Sequence, residues 1–182
     1  MKKISIMLFL IFMMSFCFAQ SNDASKIETE YYGLKWGCSV QDLKSKYPDS
    51  YTNGKNDQGD EVYYLDGKET TRVFFFGEGK LFSGRVCYLD CTQERLVAIM
   101  TKITDTYGKF DDSNKGSDKG NEYLTFTKHY SNKIDIDCTA MDVKNSYGYN
   151  VSSMVLVTYT NKELRSKIAK DRINKMQDDL EL

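Results

Sequence analysis

The chain of 182 residues has one histidine, one proline and one tryptophan. With His129 alone and no clustering of metal-ligand residue types, most metal and triad chemistries are excluded. No Gly-x-Ser-x-Gly, Walker-type or Gly-x-Gly-x-x-Gly motif occurs. A basic excess is also missing: 25 Lys and Arg stand against 26 Asp and Glu, for a net charge of −1. That balance excludes an electrostatic nucleic-acid binder. Beyond residues 1–19 no apolar run approaches the ~18 residues of a membrane span. What is abundant is aromatic. Thirteen tyrosines and 13% aromatics argue for a packed core rather than a disordered chain.

The weaker site signals fail on chemistry. Gly77-Glu78-Gly79 marks a hairpin, not a phosphate loop, because no helix pattern follows it. Asp111 to Glu122 has the length of a calcium loop, but Lys115 stands where an oxygen ligand is needed and Ser113 is a poor ligand. Asp135 and Asp137 share one face of one strand and do not flank a cleft, as glycoside hydrolysis requires. The sequence therefore implies no metal, no cofactor and no enzyme. A small hydrolase that uses unremarkable residues is the remaining catalytic alternative.

Residues 1–19 read as a secretory signal peptide. Lys2 and Lys3 precede an almost wholly apolar stretch, Ile4 to Ala19, and Cys17-Phe18-Ala19 puts small residues at the −3 and −1 positions before Gln20. Cleavage there shifts the net charge from −1 to −3. The expected location is periplasmic or secreted, with no transmembrane segment after cleavage. A lipid anchor at Cys17 is disfavoured, because bulky Phe16 stands where lipidation needs a small residue.

Four cysteines follow the leader: Cys38, Cys87, Cys91 and Cys138. In an oxidising compartment an even number suggests two disulfides of unspecified connectivity. The alternative is buried thiols that pack as small apolar residues. The Cys87-x3-Cys91 spacing is neither a redox pair nor a zinc pair.

The rest reads as a flexible segment over 20–30, an α+β domain over 31–159, and an amphipathic helix over 160–182. The domain suggests two half-repeats, 31–90 and 91–159. Cys38-Ser39 before the first helix resembles Cys91-Thr92 before the second; Ser39 caps the first, and Asp90 or Thr92 caps the second. Each half continues with a helix, a polar loop and three strands. The first helix carries Val40, Leu43 and Tyr47 and ends before Pro48. The second carries Leu96, Ile99, Met100, Ile103 and Tyr107 and stops at Gly108. Strands are expected over 61–66, 70–76 and 81–89, then 122–130, 134–141 and 151–159. Thr160-x-x-Glu163 reads as a capping box for the last helix, whose apolar stripe is Leu164, Ile168, Ala169, Ile173, Met176 and Leu180. That helix either packs on the domain or binds a partner. The expected fold class is α+β, an antiparallel sheet covered on one face by two helices, plus the final helix.

Strand alternation suggests a contact surface. Pairing Phe76 with Leu81 and Phe75 with Phe82 puts Val73, Phe75, Phe82, Val86 and Tyr88 on the expected core face. Arg72, Phe74, Phe76 and Arg85 then share the open face, with Trp36, Tyr31, Tyr32, Tyr63 and Tyr64 adding to it. In the second half His129 opposes Asp135 on the outer side. One reading is a solvated polar ladder of weak exposed pairs. The other is a binding face, since Tyr, Phe and Arg are enriched at contacts.

The stretch Gly33-Leu34-Lys35-Trp36-Gly37-Cys38-Ser39-Val40-Gln41-Asp42-Leu43-Lys44 resembles the opening of a group of small exported bacterial proteins. The helix-plus-strands layout is similar to modules of outer-membrane assembly lipoproteins and of a secreted β-lactamase-inhibitor protein with tandem units. The resemblance transfers no catalytic residue. It implies an exported, non-enzymatic binding or assembly module of the bacterial envelope, with an envelope or secreted protein as partner. The alternative is a secreted inhibitor that docks an aromatic sheet face into an enzyme.

Overall fold

Two hydroxyl caps set the helices that back the sheet. Ser39 Oγ accepts from the Asp42 amide at 3.2 Å and Asp42 Oδ2 accepts from the Ser39 amide at 2.8 Å. This reciprocal box starts α1, Val40–Lys46; the Ser39 hydroxyl, which also donates to Asp42 Oδ2 at 2.7 Å, and then the Ser39 amide hold the exposed Asp42 carboxyl below its ordinary range. Thr92 Oγ1 accepts from the Arg95 amide at 3.3 Å and starts α2, Gln93–Tyr107. Gly108, at φ +90°, ends it. The computed structural model describes residues 24–118, 120–144 and 150–178. The expected signal peptide, Cys17 and Leu180 lie outside the described residues.

Ten strands form among those residues. β1 (Glu30–Tyr31) and β2 (Leu34–Lys35) make a small hairpin. The others are β3 (Tyr51–Lys55), β4 (Glu61–Asp66), β5 (Thr70–Gly77), β6 (Lys80–Tyr88), β7 (Asp112–Asp118), β8 (Asn121–Tyr130), β9 (Ile134–Lys144) and β10 (Asn150–Asn161). They build one antiparallel sheet in the order β3-β4-β5-β6-β10-β9-β8-β7. Each half is thus a helix followed by a four-stranded meander, not three strands. The meanders join where their last strands pair, Val86 opposite Val157. The extra strands, β3 and β7, overlap the stretches read from sequence as polar loops, 53–60 and 111–120. Both are sheet edges; β3 is exposed throughout, and edges are where Lys, Asn, Asp and Gly belong.

The helix side of the sheet is the core. Phe74, Phe76, Leu81, Ile134, Ile136 and Cys138 are all at most 1% exposed, and they pack with Leu43 of α1 and Ile103 of α2. Residues expected to be loose before β1 take part. A short 3-10 turn, Ser25–Glu28, buries Ile27, and Trp36 Nε1 donates to the Ile27 carbonyl at 2.7 Å. The Tyr31 ring packs against Gly84, where an added Cβ would stand 2.2 Å from it. An apolar side chain and a receptive backbone order this segment, and no periodicity reveals either.

The last helix, α3, spans Lys162–Asp178. Its cap is Asn161, whose Oδ1 accepts from the Leu164 amide at 3.0 Å. Thr160, the expected cap, instead ends β10, and its hydroxyl is 3.1 Å from that of Ser83. α3 packs on the β5–β6 turn: a Cβ on Gly77 would come within 2.8 Å of Ile168. Ile168 is buried, but Ile173 and Met176 of the expected stripe are 54% and 64% exposed.

Candidate functional site

A one-residue slip decides what the open face carries. Phe76 opposes Leu81, but Phe75 opposes Ser83, so Phe82 is a bulge residue. Arg72 then opposes Val86, and Val73 opposes Arg85. The two arginines sit on opposite faces. The faces are also exchanged relative to the sequence expectation, with Phe74 and Phe76 in the core and Val73 and Phe75 on the open side. Val73-Phe74-Phe75-Phe76 is apolar at every position, so alternation carries no contrast to say which pair points inward.

Of the five expected binding residues, only Arg85 lies on the open face. Phe74 and Phe76 are buried. Trp36 is half-buried on the helix side, stacked on Tyr31 with centroids 5.9 Å apart. Arg72 is also on the helix side, its guanidinium carbon 4.2 Å from the Tyr32 ring centre.

The open face has its own row, in register across all eight strands: Tyr51, Tyr64, Val73, Arg85, Thr158, Asp137, Thr127, Asp112. At ~4.8 Å per strand this row runs about 34 Å. The first half is aromatic and apolar, and Val73 within it is buried. Tyr51 and Tyr64 stack at 5.5 Å, and the Tyr51 hydroxyl donates to Asp66 Oδ2 at 2.9 Å. Arg85 is the hinge between the halves. Its guanidinium lies 5.1 Å from the Phe75 ring centre, and its Nε donates to Thr158 Oγ1 at 2.9 Å.

Beyond Arg85 the row itself is hydroxyls and carboxylates, whereas Leu156, Met154, Met141 and Tyr123 continue the same face further along the strands. Thr127 donates to Asp137 at 2.7 Å, and Thr125 and Thr139 bond at 2.8 Å. His129 lies between two acids, with Nδ1 2.7 Å from Asp135 and Nε2 3.1 Å from Asp112. Those bonds raise its pKa above the ordinary value, Asp135 contributing most. Lys162 at the start of α3 adds a 3.1 Å ion pair to Asp135. The alternation of Asp135, Asp137 and His129 was legible; Tyr51 lay outside every expected strand. Towards the β5–β6 turn, α3 covers this face, and Ser83 and Thr160 are buried there.

The four cysteines among the described residues are free thiols, not two disulfides. Cys87 opposes Leu156 on the open face, whereas Cys138 lies in the core. Burial pushes the Cys38 thiol to about 11 and that of Cys138 to about 12. Among the described residues no group of three or more His, Cys, Asp or Glu could hold a metal ion. No helix among them is long and apolar enough to cross a membrane.

No family model, no curated protein and no solved structure matches the chain.

Proposed function

We propose that the chain is an exported, non-enzymatic binding or assembly module of the bacterial envelope, periplasmic or secreted, and that an envelope or secreted protein seats on the open sheet face. The observation that carries this reading is the in-register row from Tyr51 to Asp112 with Arg85 at its centre. A row of about 34 Å suits the roughly 800 Å² that each partner contributes to a standard interface. Its chemistry suits contact. Tyr and Arg anchor most interfaces, while the Thr and Asp rows supply a polar border.

The test is site-directed photo-crosslinking in the exporting cell. A crosslinker at position 64 or 158 gives a discrete adduct with another protein, and one at position 94, on α2, does not. Arg85→Glu abolishes the adduct while the circular dichroism spectrum is unchanged. Equal labelling from position 94, or no adduct from 64 and 158, overturns the reading. Nanomolar inhibition of a secreted hydrolase that is lost in Arg85→Glu would identify the partner as an enzyme and the chain as its inhibitor.

A further inference from the structure

The helix side of the sheet has a cleft that the contact surface does not use. Its floor is the junction of the two halves, Val86 and Val157, and its walls are the β1–β2 hairpin and α2. It measures about 570 Å³. That lies within the range of roughly 300–1,000 Å³ typical of small-molecule sites. Tyr31, Tyr32, Tyr88, Tyr107 and Tyr159 line it together with Ile99. Tyrosine rings give flat apolar surfaces with a polar end, which suits a flat ligand that carries polar groups.

Tyr31 is the second observation. Its side chain is 1% exposed, and its hydroxyl has no hydrogen-bond partner among the described residues. Leaving such a group unpaired costs about 1–3 kcal/mol, and phenylalanine would fill the same space over Gly84 without that cost. Burial also pushes its pKa well up, so the group is a neutral hydroxyl able to donate one bond and accept others. At the mouth, exposed Lys26 and Lys102 stand against one carboxylate, Glu30.

We infer that this cleft is a binding site for a flat aromatic carboxylate, its ring between the tyrosines, a polar atom on the Tyr31 hydroxyl and its anionic group at Lys26 and Lys102. The site is independent of the open face and of any partner there.

Titration calorimetry on the mature chain tests it with 6-hydroxy-2-naphthoate, which carries a hydroxyl for Tyr31 and a carboxylate for the lysines, with its neutral analogue 6-(hydroxymethyl)-2-naphthol, and with 4-hydroxycyclohexanecarboxylate. The expected result is saturable one-to-one binding of 6-hydroxy-2-naphthoate, on the order of ten-fold tighter than either of the others. Ile99→Trp fills the cleft from a half-buried position and removes binding while thermal unfolding stays cooperative. Lys102→Gln weakens 6-hydroxy-2-naphthoate and leaves the neutral analogue unchanged. Tyr31→Phe separates a ligand role from a packing role. It weakens 6-hydroxy-2-naphthoate several-fold, on the order of one lost hydrogen bond, although it relieves an unpaired hydroxyl and raises the unfolding midpoint. No saturation up to millimolar 6-hydroxy-2-naphthoate overturns the proposal. So does binding that is unchanged in both Ile99→Trp and Tyr31→Phe.

Discussion

Arg172 Nη2 of α3 lies 2.6 Å from Asp60 Oδ1 in the turn between β3 and β4. Asp60 is only 2% exposed, and its other oxygen accepts from Asn56 Nδ2 at 3.0 Å. The same guanidinium donates through Nη1 to the Gln58 carbonyl at 2.8 Å. Next to it, Lys175 pairs with Glu78 in the β5–β6 turn. The last helix is therefore tied to two hairpin turns by charge, and by Ile168 through packing. Removing Arg172 leaves a buried carboxylate with no cation. We expect Arg172→Ala to cost about 3 kcal/mol, because an uncompensated buried charge is expensive. Asp60→Asn should cost less, since Arg172 is partly exposed and can reach water. Urea midpoints of the two variants check the order; equal losses would mean that the pair is not buried in solution.

Gly84 and Tyr31 make the second prediction. The Tyr31 ring occupies the space of any side chain at position 84. Gly84→Ala should displace the β1–β2 hairpin at a cost of about 1–3 kcal/mol, the usual penalty for overpacking. Trp36 is the only tryptophan and stacks on Tyr31, so its emission reports the displacement. The double variant Gly84→Ala/Tyr31→Ala should lose less than the sum of the singles, because both act on one contact. Additive losses would place the clash elsewhere.

Thiol chemistry gives the third. The thiolate is the reactive form, and burial disfavours it at Cys38, Cys87, Cys91 and Cys138 alike. In the native protein at pH 8, iodoacetamide should label all four slowly. In urea without reductant it should label all four quickly. No labelling in urea would mean disulfides after all.

The helix starts were readable because a cap is local chemistry: Ser39 and Asp42 lie three residues apart and satisfy each other wherever the chain goes. Thr160-x-x-Glu163 had the same pattern and misled by one residue. Pairing with Ser83, 77 residues away, holds Thr160 in β10 and leaves capping to Asn161. The α+β class and most strand positions were legible for the same local reasons. The contact surface was not, because face assignment depends on a bulge at Phe82 and on which of two apolar faces the helices meet. Both are set by tertiary packing. Edge strands such as β3 have no buried side to leave a trace of alternation.

His129 supplies a pH dependence with a defined sign. Protonated, it donates from both ring nitrogens, to Asp135 and to Asp112; neutral, it has one donor. Its folded pKa is therefore raised above the ordinary value near 6.5. A group raised on folding contributes its stability fully below the unfolded pKa and loses it as pH rises through the folded one. Stability should fall from about pH 6.5 upward. The ring is 48% exposed and Lys162 competes for Asp135, so the change is that of an exposed pair, about 0.2–1 kcal/mol. His129→Gln should flatten the profile. As the chain has one histidine, a single imidazole resonance reports the titration directly. A midpoint at or below 6.5 would mean that neither carboxylate engages the ring, and the polar half of the open face would then be loosely solvated rather than bonded.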